Sequence, residues 1–227
     1  LRFNRMKECK EYRERHSLFM DYRPVTTEAV KSICFEAQLE GISAIEYDVQ
    51  RYVDSRRISH YWPVEEYLFD LPNWDGQDRI RALADCVPCE NKEWKDFFYI
   101  WFLSMVAHWL QMDREHANST SPLLVGPQGC RKSTFCQNLL PPELRPYYVD
   151  GIDLGSRKDA EMALNRFALI NLDEFDSIPA SRQPYLKNLL QKAKVTLRKP
   201  YGGNVEEMRR FASFIATSNT FSLLTDT

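Results

Sequence analysis

Apolar positions in the first half of the chain recur three and four residues apart, the spacing of helices with one buried face. Thr27 to about Leu39 follows this period, and Gly41 stands where a left-handed glycine would end the helix. Ser43-Ala44-Ile45-Glu46 has the form of a capping box and predicts a second helix running to about Arg56. Pro63 suits a first helical position and predicts a short helix through Phe69. Asn73-Trp74-Asp75-Gly76 is a turn, after which Asp78 is placed to open another helix. Trp94 to Met112 is apolar on most of its circumference and predicts a long central helix. Its apolar stretch, Phe97 to Leu110, contains His108 and is shorter than the roughly 20 residues a membrane span needs.

The texture changes after Asn118-Ser119-Thr120. Short apolar runs now alternate with helical ones: Leu123-Leu124-Val125, Tyr147-Tyr148-Val149, Phe167 to Leu172, and Phe211 to Thr217. Runs of this kind, buried on both faces and separated by helices, predict βαβ units and a parallel sheet. The expected division is therefore an all-α N-terminal region, residues 1–117, and an α/β core, residues 118–227.

A length of 227 residues predicts one or two domains, and 44% hydrophobic residues with 13% aromatics suffice for a packed core. Net charge is −2, which excludes a uniformly basic nucleic-acid coat. The charge is segregated, however: residues 118–227 carry +3, and residues 181–211 alone carry +6. Six cysteines without disulfide spacing, and a lone Cys86-x-x-Cys89 lacking two further ligands, argue against staples and against zinc. A reducing cytoplasm and no membrane association are the expectation. The chain starts at Leu1 without an initiator Met or leader, and eight residues follow Asn219, which reads as an internal fragment.

Between a strand and a helix lies Gly126-Pro127-Gln128-Gly129-Cys130-Arg131-Lys132-Ser133. This is the context of a phosphate-binding loop, in which glycines turn backbone N–H groups toward the phosphates of ATP. Gly126, Gln128, Gly129, Arg131, Lys132, Ser133 and Thr134 are the expected nucleotide contacts, with Lys132 reaching the β- and γ-phosphates. Arg131 occupies a position where the pattern wants glycine, adding a cation at a cost in backbone freedom. The Phe167–Leu172 run ends in Asp173-Glu174, 41 residues after Lys132. In a nucleotide site Asp173 and the Ser133 hydroxyl would hold Mg²⁺, and Glu174 would polarise the attacking water. A third strand ends in Asn219, an amide suited to orienting that water or sensing the γ-phosphate.

The segment from Lys194 through Arg198, Lys199, Tyr201 and Gly202-Gly203 to Arg209 and Arg210 reads as a glycine-tipped basic insertion. Cations for phosphates and Tyr201 for stacking suit single-stranded DNA, with a solvated or intersubunit loop as the alternative.

Taken together, the Lys132 loop continuing into Thr134-Phe135, Leu172-Asp173-Glu174 and Arg198-Lys199-Pro200-Tyr201-Gly202 resemble the virulence-associated protein E family. Upstream, Tyr61-Trp62-Pro63-Val64-Glu65-Glu66-Tyr67-Leu68 and Trp74-Asp75-Gly76 are similar to that family's helical lead-in. The resemblance implies a P-loop NTPase fold of the AAA+/superfamily 3 helicase kind. It also implies a DNA-replication ATPase of a phage, plasmid or integrated element, assembled as a homo-oligomeric ring with an arginine supplied by a neighbour. Two other readings stand beside the helicase-like ATPase. One is a nucleotide-sensing DNA-binding adaptor with little turnover, which Arg131 favours; the other is a small-molecule P-loop kinase, disfavoured by the lack of an Arg-rich lid.

Overall fold

A computed structural model describes residues 1–14, 21–112, 115–198 and 205–220 of the chain. Two compact units divide at Glu66/Tyr67. No helix among the described residues is long and apolar enough to cross a membrane.

The first unit is not all-α. Three strands, β1 (Arg2–Asn4), β2 (Cys9–Tyr12) and β3 (Arg23–Pro24), precede helices α1 (Thr27–Leu39) and α2 (Glu46–Val53). With β4 (His60–Tyr61) these strands form a sheet in the order β3-β2-β1-β4. The strands escape a periodicity reading because they are short and because what they bury is polar. Asn4 and Glu11 are both buried, and the Glu11 carboxylate accepts from Arg2 Nε at 2.8 Å and Asn4 Nδ2 at 3.0 Å. The Arg2 guanidinium stacks between Tyr22 and Tyr61, 3.6 and 3.4 Å from the ring centroids. The expected capping box does not form: Ile45 is the N-cap of α2, without a side-chain cap. Thr26 caps α1 instead, its side chain accepting from Ala29 N.

Helix α3 (Pro63–Phe69) carries the chain into the second unit, followed by α4 (Arg79–Ala84), which Asp78 caps as its side chain accepts from Arg81 N. Helix α5 (Trp94–Trp109) buries Phe98, Trp101, Met105, His108 and Trp109, one face at helical spacing, and leaves Phe97, Ile100 and Leu103 exposed. It is thus amphipathic in its packing although not in its composition. Phe98 packs toward Phe135, ring centroids 6.1 Å apart, and Trp109 Nε1 donates to Ala168 O at 3.1 Å. These contacts explain why no boundary falls near 117: α5 shares a core with the residues that follow it.

The remaining elements are β5 (Leu123–Val125), α6 (Lys132–Asn138), β6 (Tyr148–Asp150), α7 (Arg157–Arg166), β7 (Leu169–Leu172) and α8 (Gln183–Gln191), then β8 (Lys194–Arg198), β9 (Val205–Arg209) and β10 (Ser213–Ser218). Strands β5-β10-β7-β6 form a wholly parallel sheet in that order, making the unit a mixed α/β fold, while β8 and β9 pair antiparallel as a separate hairpin. Every residue of β7 and of β10 is buried, the mark of central strands covered on both faces.

Arg210 departs from its expected role. It is fully buried, and its guanidinium donates to Ala212 O (2.8 Å), Leu190 O (2.8 Å), Lys192 O (2.6 Å), Leu189 O (3.1 Å) and Asn118 O (3.4 Å). It therefore closes the C-terminal end of α8 and anchors the entry to β10, with no surface left for DNA. Burial pushes its pKa down to about 10, which leaves it charged at neutral pH. Replacing it strands several buried carbonyls and opens a cavity. Arg210→Ala is expected to cost about 3 kcal/mol or more in urea denaturation. Lys194→Ala, which removes an exposed pair with Glu207 at 3.0 Å, should stay within about 0.5 kcal/mol.

Candidate functional site

In a parallel sheet with helical crossovers, the loops after each strand collect along the carboxyl edge. Here that edge carries the ends of β5, β10 and β7, and on it lie all three of the strand-end signals. The loop from Gly126 to Arg131 leaves β5, and two of its residues take left-handed backbone, Gly129 at φ 82° and Arg131 at φ 65°. Glycine meets that demand freely; an arginine meets it at a cost of about 1 kcal/mol. Arg131 nonetheless serves as the N-cap residue of α6, so the side chain at the departing position does not prevent the turn.

Lys132 reaches across the loop. Its ammonium donates to Gly126 O at 2.7 Å, Pro127 O at 3.0 Å and Asn219 Oδ1 at 3.0 Å, tying the end of β5 to the end of β10. Beside it, Ser133 Oγ donates to Asp173 Oδ1 at 3.0 Å, and the Thr217 hydroxyl donates to the same carboxylate oxygen. Glu174 follows in left-handed backbone at φ 50°, ahead of a short 3-10 turn over Phe175–Ser177. That turn presents Asp176, whose Oδ1 accepts from Ser218 Oγ at 2.9 Å and from Asn219 N at 3.4 Å. The Ser218 hydroxyl holds the Asp176 carboxyl below the usual carboxylate range, with Lys132 contributing in the same direction.

These groups line one cavity of about 340 Å³, walled by Gln128, Gly129, Arg131, Lys132, Ser133, Thr134, Asp173, Glu174, Thr217, Ser218 and Asn219. Gly126 lines the adjoining hollow of about 610 Å³. Thr217, Ser218 and Asp176 are not singled out by sequence patterns. The signal available for them is register, since Ala216 pairs with Leu172 and so sets Thr217 opposite Asp173.

Among the described residues no cluster of three or more His, Cys, Asp or Glu could hold a metal by itself. Ser133 and Asp173 do offer two oxygens at one point, which suits Mg²⁺, an ion that keeps most of its shell from water and phosphate.

Lys194, Arg209 and Arg210, three of the expected DNA contacts, are not among the residues that line this cavity. Lys194 is exposed on β8 and pairs with Glu207, and Arg209 is half-buried on β9. Arg198 ends β8, its side chain lying outside the described residues together with Lys199 and Tyr201. Arg210 is interior, its guanidinium spent on backbone carbonyls.

The chain matches the model of the virulence-associated protein E-like domain over residues 68–227. Among solved structures it is similar to two apo structures of the NrS-1 C-terminal region, at TM-scores of 0.52 and 0.53 with 13% and 14% identity. These likenesses cover 95% and 96% of this chain, which spans 53% of each of theirs, about half their length. No curated protein matches the chain.

Thiols around the site should separate by environment. Cys86, Cys89 and Cys130 are exposed, whereas Cys136 is buried and burial pushes its thiol up to about 12. Because the thiolate is the reactive form, brief treatment with N-ethylmaleimide at pH 7.5 is expected to label the first three. Cys136 should label only after unfolding, as read by peptide mass spectrometry.

Proposed function

The chain belongs to the virulence-associated protein E-like domain family, and from that premise we propose that it is a P-loop ATPase acting in replication of a mobile element's DNA. The observation that carries this reading is the convergence of Lys132, Ser133, Asp173, Thr217 and Asn219 from three strand ends on one cavity.

The hydrogen bonds of the site support a role for each residue in this reading. Lys132 exchanges the carbonyls of Gly126 and Pro127 for phosphate oxygens, which accept more strongly because they are charged. Ser133 and Asp173 would hold Mg²⁺, which would supply neutralisation of the charge developing on the transferred phosphoryl group. Thr217 keeps Asp173 aimed at that point. Glu174, at the rim of the same cavity, accepts the proton of the attacking water, and Asn219, freed from Lys132, orients that water. Asp176 holds the backbone of Asn219 and so keeps the amide in place. A helicase-like motor would complete the site with an arginine from a neighbouring subunit in a ring, a gain on the order of 10³-fold or more in rate.

Single-stranded DNA would be held by Lys194, Arg198, Lys199, Tyr201 and Arg209 on the β8–β9 hairpin and its connection, phosphates meeting cations and bases stacking on the ring. The left-handed backbone at Arg131 supports a second reading, an ATP-sensing adaptor that binds DNA with little turnover. DNA-stimulated phosphate release separates the two, since only the motor gives it.

Calorimetry with Mg-ATP is the direct test. The unaltered chain is expected to bind, and Lys132→Ala to lose about 10- to 100-fold in affinity, the scale of a charged hydrogen-bond set. Equal binding by both would place the nucleotide elsewhere. On the DNA side, Arg198→Ala with Lys199→Ala should weaken single-strand binding and reduce the slope of log affinity against log salt by about 0.7 for each phosphate that the variant no longer neutralises. An unchanged slope in a fluorescence-anisotropy salt titration would remove the hairpin from the DNA-binding role.

A further inference from the structure

Three of the chain's six cysteines open onto one space. Cys86 and Cys89, in the connection between α4 and α5, and Cys130, in the loop after β5, are all exposed. All three line the hollow of about 610 Å³ beside that loop. None of them has a part in the proposed nucleotide chemistry. We propose that they form a thiol–disulfide site. Cys130 captures a small disulfide that bears carboxylates, the class of glutathione disulfide. Cys86 or Cys89 then resolves the adduct into a disulfide that ties the phosphate loop to the α4–α5 connection.

Charge sets the order of events. Cys130 is followed by Arg131 and Lys132, and both cations line the same hollow. The other two thiols lie at the start of an acidic segment: residues 85–96 carry Asp85, Glu90, Glu93 and Asp96 against Lys92 and Lys95, a net −2. A carboxylate-bearing disulfide is therefore drawn to Cys130 and away from the pair. Space sets the direction. A Cβ placed on Gly126 would lie 3.3 Å from Cys130 Sγ, so little room remains on the strand side. An adduct on this sulfur has to extend into the hollow, where the other two thiols are.

In the first step Cys130, as thiolate, attacks one sulfur of the small disulfide. That S–S bond breaks, a mixed disulfide forms on Cys130, and the departing half takes up the proton that Cys130 released. In the second step the thiolate of Cys86 or Cys89 attacks Cys130 Sγ, and the other half leaves with the proton of the resolving thiol. Two protein thiols are oxidised by two electrons, and one small disulfide is reduced to two thiols. A space of this volume, taken as a sphere, is about 10 Å across, whereas a disulfide holds its Cα atoms about 5.5–6 Å apart. Closure thus draws two connecting segments together by a few ångström, and neither belongs to the sheet.

The consequence falls on Lys132. Its ammonium donates to Cys130 Sγ at 3.7 Å as well as to Gly126 O, Pro127 O and Asn219 Oδ1. Pulling Cys130 toward the α4–α5 connection displaces the loop that Lys132 spans, so oxidation lowers affinity for nucleotide. This consequence rests on the phosphate reading of the loop; the cross-link itself does not.

The test incubates the whole chain with glutathione disulfide, quenches it in acid and maps it by peptide mass spectrometry without reduction. Mg-ATP calorimetry is run before oxidation, after it, and after dithiothreitol. The unaltered chain is expected to give a disulfide joining the Cys130 peptide to the peptide that holds Cys86 and Cys89. It should lose about tenfold or more in Mg-ATP affinity and regain it on reduction. Cys86→Ser with Cys89→Ser should stop at a mixed disulfide on Cys130, and Cys130→Ser should form no link between the two segments. A mixed disulfide that persists on the unaltered chain, a Cys86–Cys89 disulfide as the sole product, or a linked chain that binds Mg-ATP as the reduced one does would each overturn the proposal. If the reduced chain binds no Mg-ATP, the phosphate reading fails, and the peptide map still decides whether the thiol site exists.

Discussion

Strand β10 is hydrogen-bonded on both sides, to β7 through Ser213–Ala216 and to β5 through Ala216–Ser218, in parallel each time. That pairing is the constraint on which the rest of the second unit depends. Parallel neighbours must be joined by crossovers, so every loop that follows a strand emerges at the same edge. Lys132 and Asn219 lie 87 residues apart and still meet at 3.0 Å. The closure of such long loops opposes folding, and the burial of all ten residues of β7 and β10 offsets it. The polar cavity is thus a consequence of strand order, with side chains supplied by whatever residue ends each strand.

Arg210 secures the entrance to that central strand. Helix α8 ends without a glycine, and its last carbonyls are satisfied by the guanidinium of a residue about 20 positions later. Counted among its neighbours, Arg210 belongs to a strongly basic run; placed in the fold, it is a C-terminal cap made from a side chain. The same run therefore includes both an interior cation that holds α8 to β10 and, in Lys194, an exposed one that pairs with Glu207 across the β8–β9 hairpin.

Polar burial also organises the first unit, where Glu11 gathers Arg2 and Asn4 within a sheet of very short strands. Patterns of apolar residues carry no trace of such an arrangement. Helix α5 presents the opposite case: its composition is apolar nearly all round, yet only the Phe98–Trp101–Met105 face is covered among the described residues. Where α5 packs, on Phe135 and Ala168, is what joins the helical lead-in to the sheet and removes the expected boundary near 117.

Much was legible in the chain itself. The glycine loop, the apolar runs ending in Asp173-Glu174 and in Asn219, and the helices at Thr27, Pro63 and Trp94 all follow from local rules of turn chemistry, periodicity and capping, and each lies within about three residues of its place in the fold. These features depend on neighbours in sequence, so sequence suffices. The joining of Thr217 to Asp173, the hold of Asp176 on Asn219, the interior position of Arg210 and the apolar hollow beside Lys132 were decided by the tertiary structure alone. Each is a meeting of residues brought together by strand order and helix packing, and the energy that selects it is shared among elements far apart in the chain.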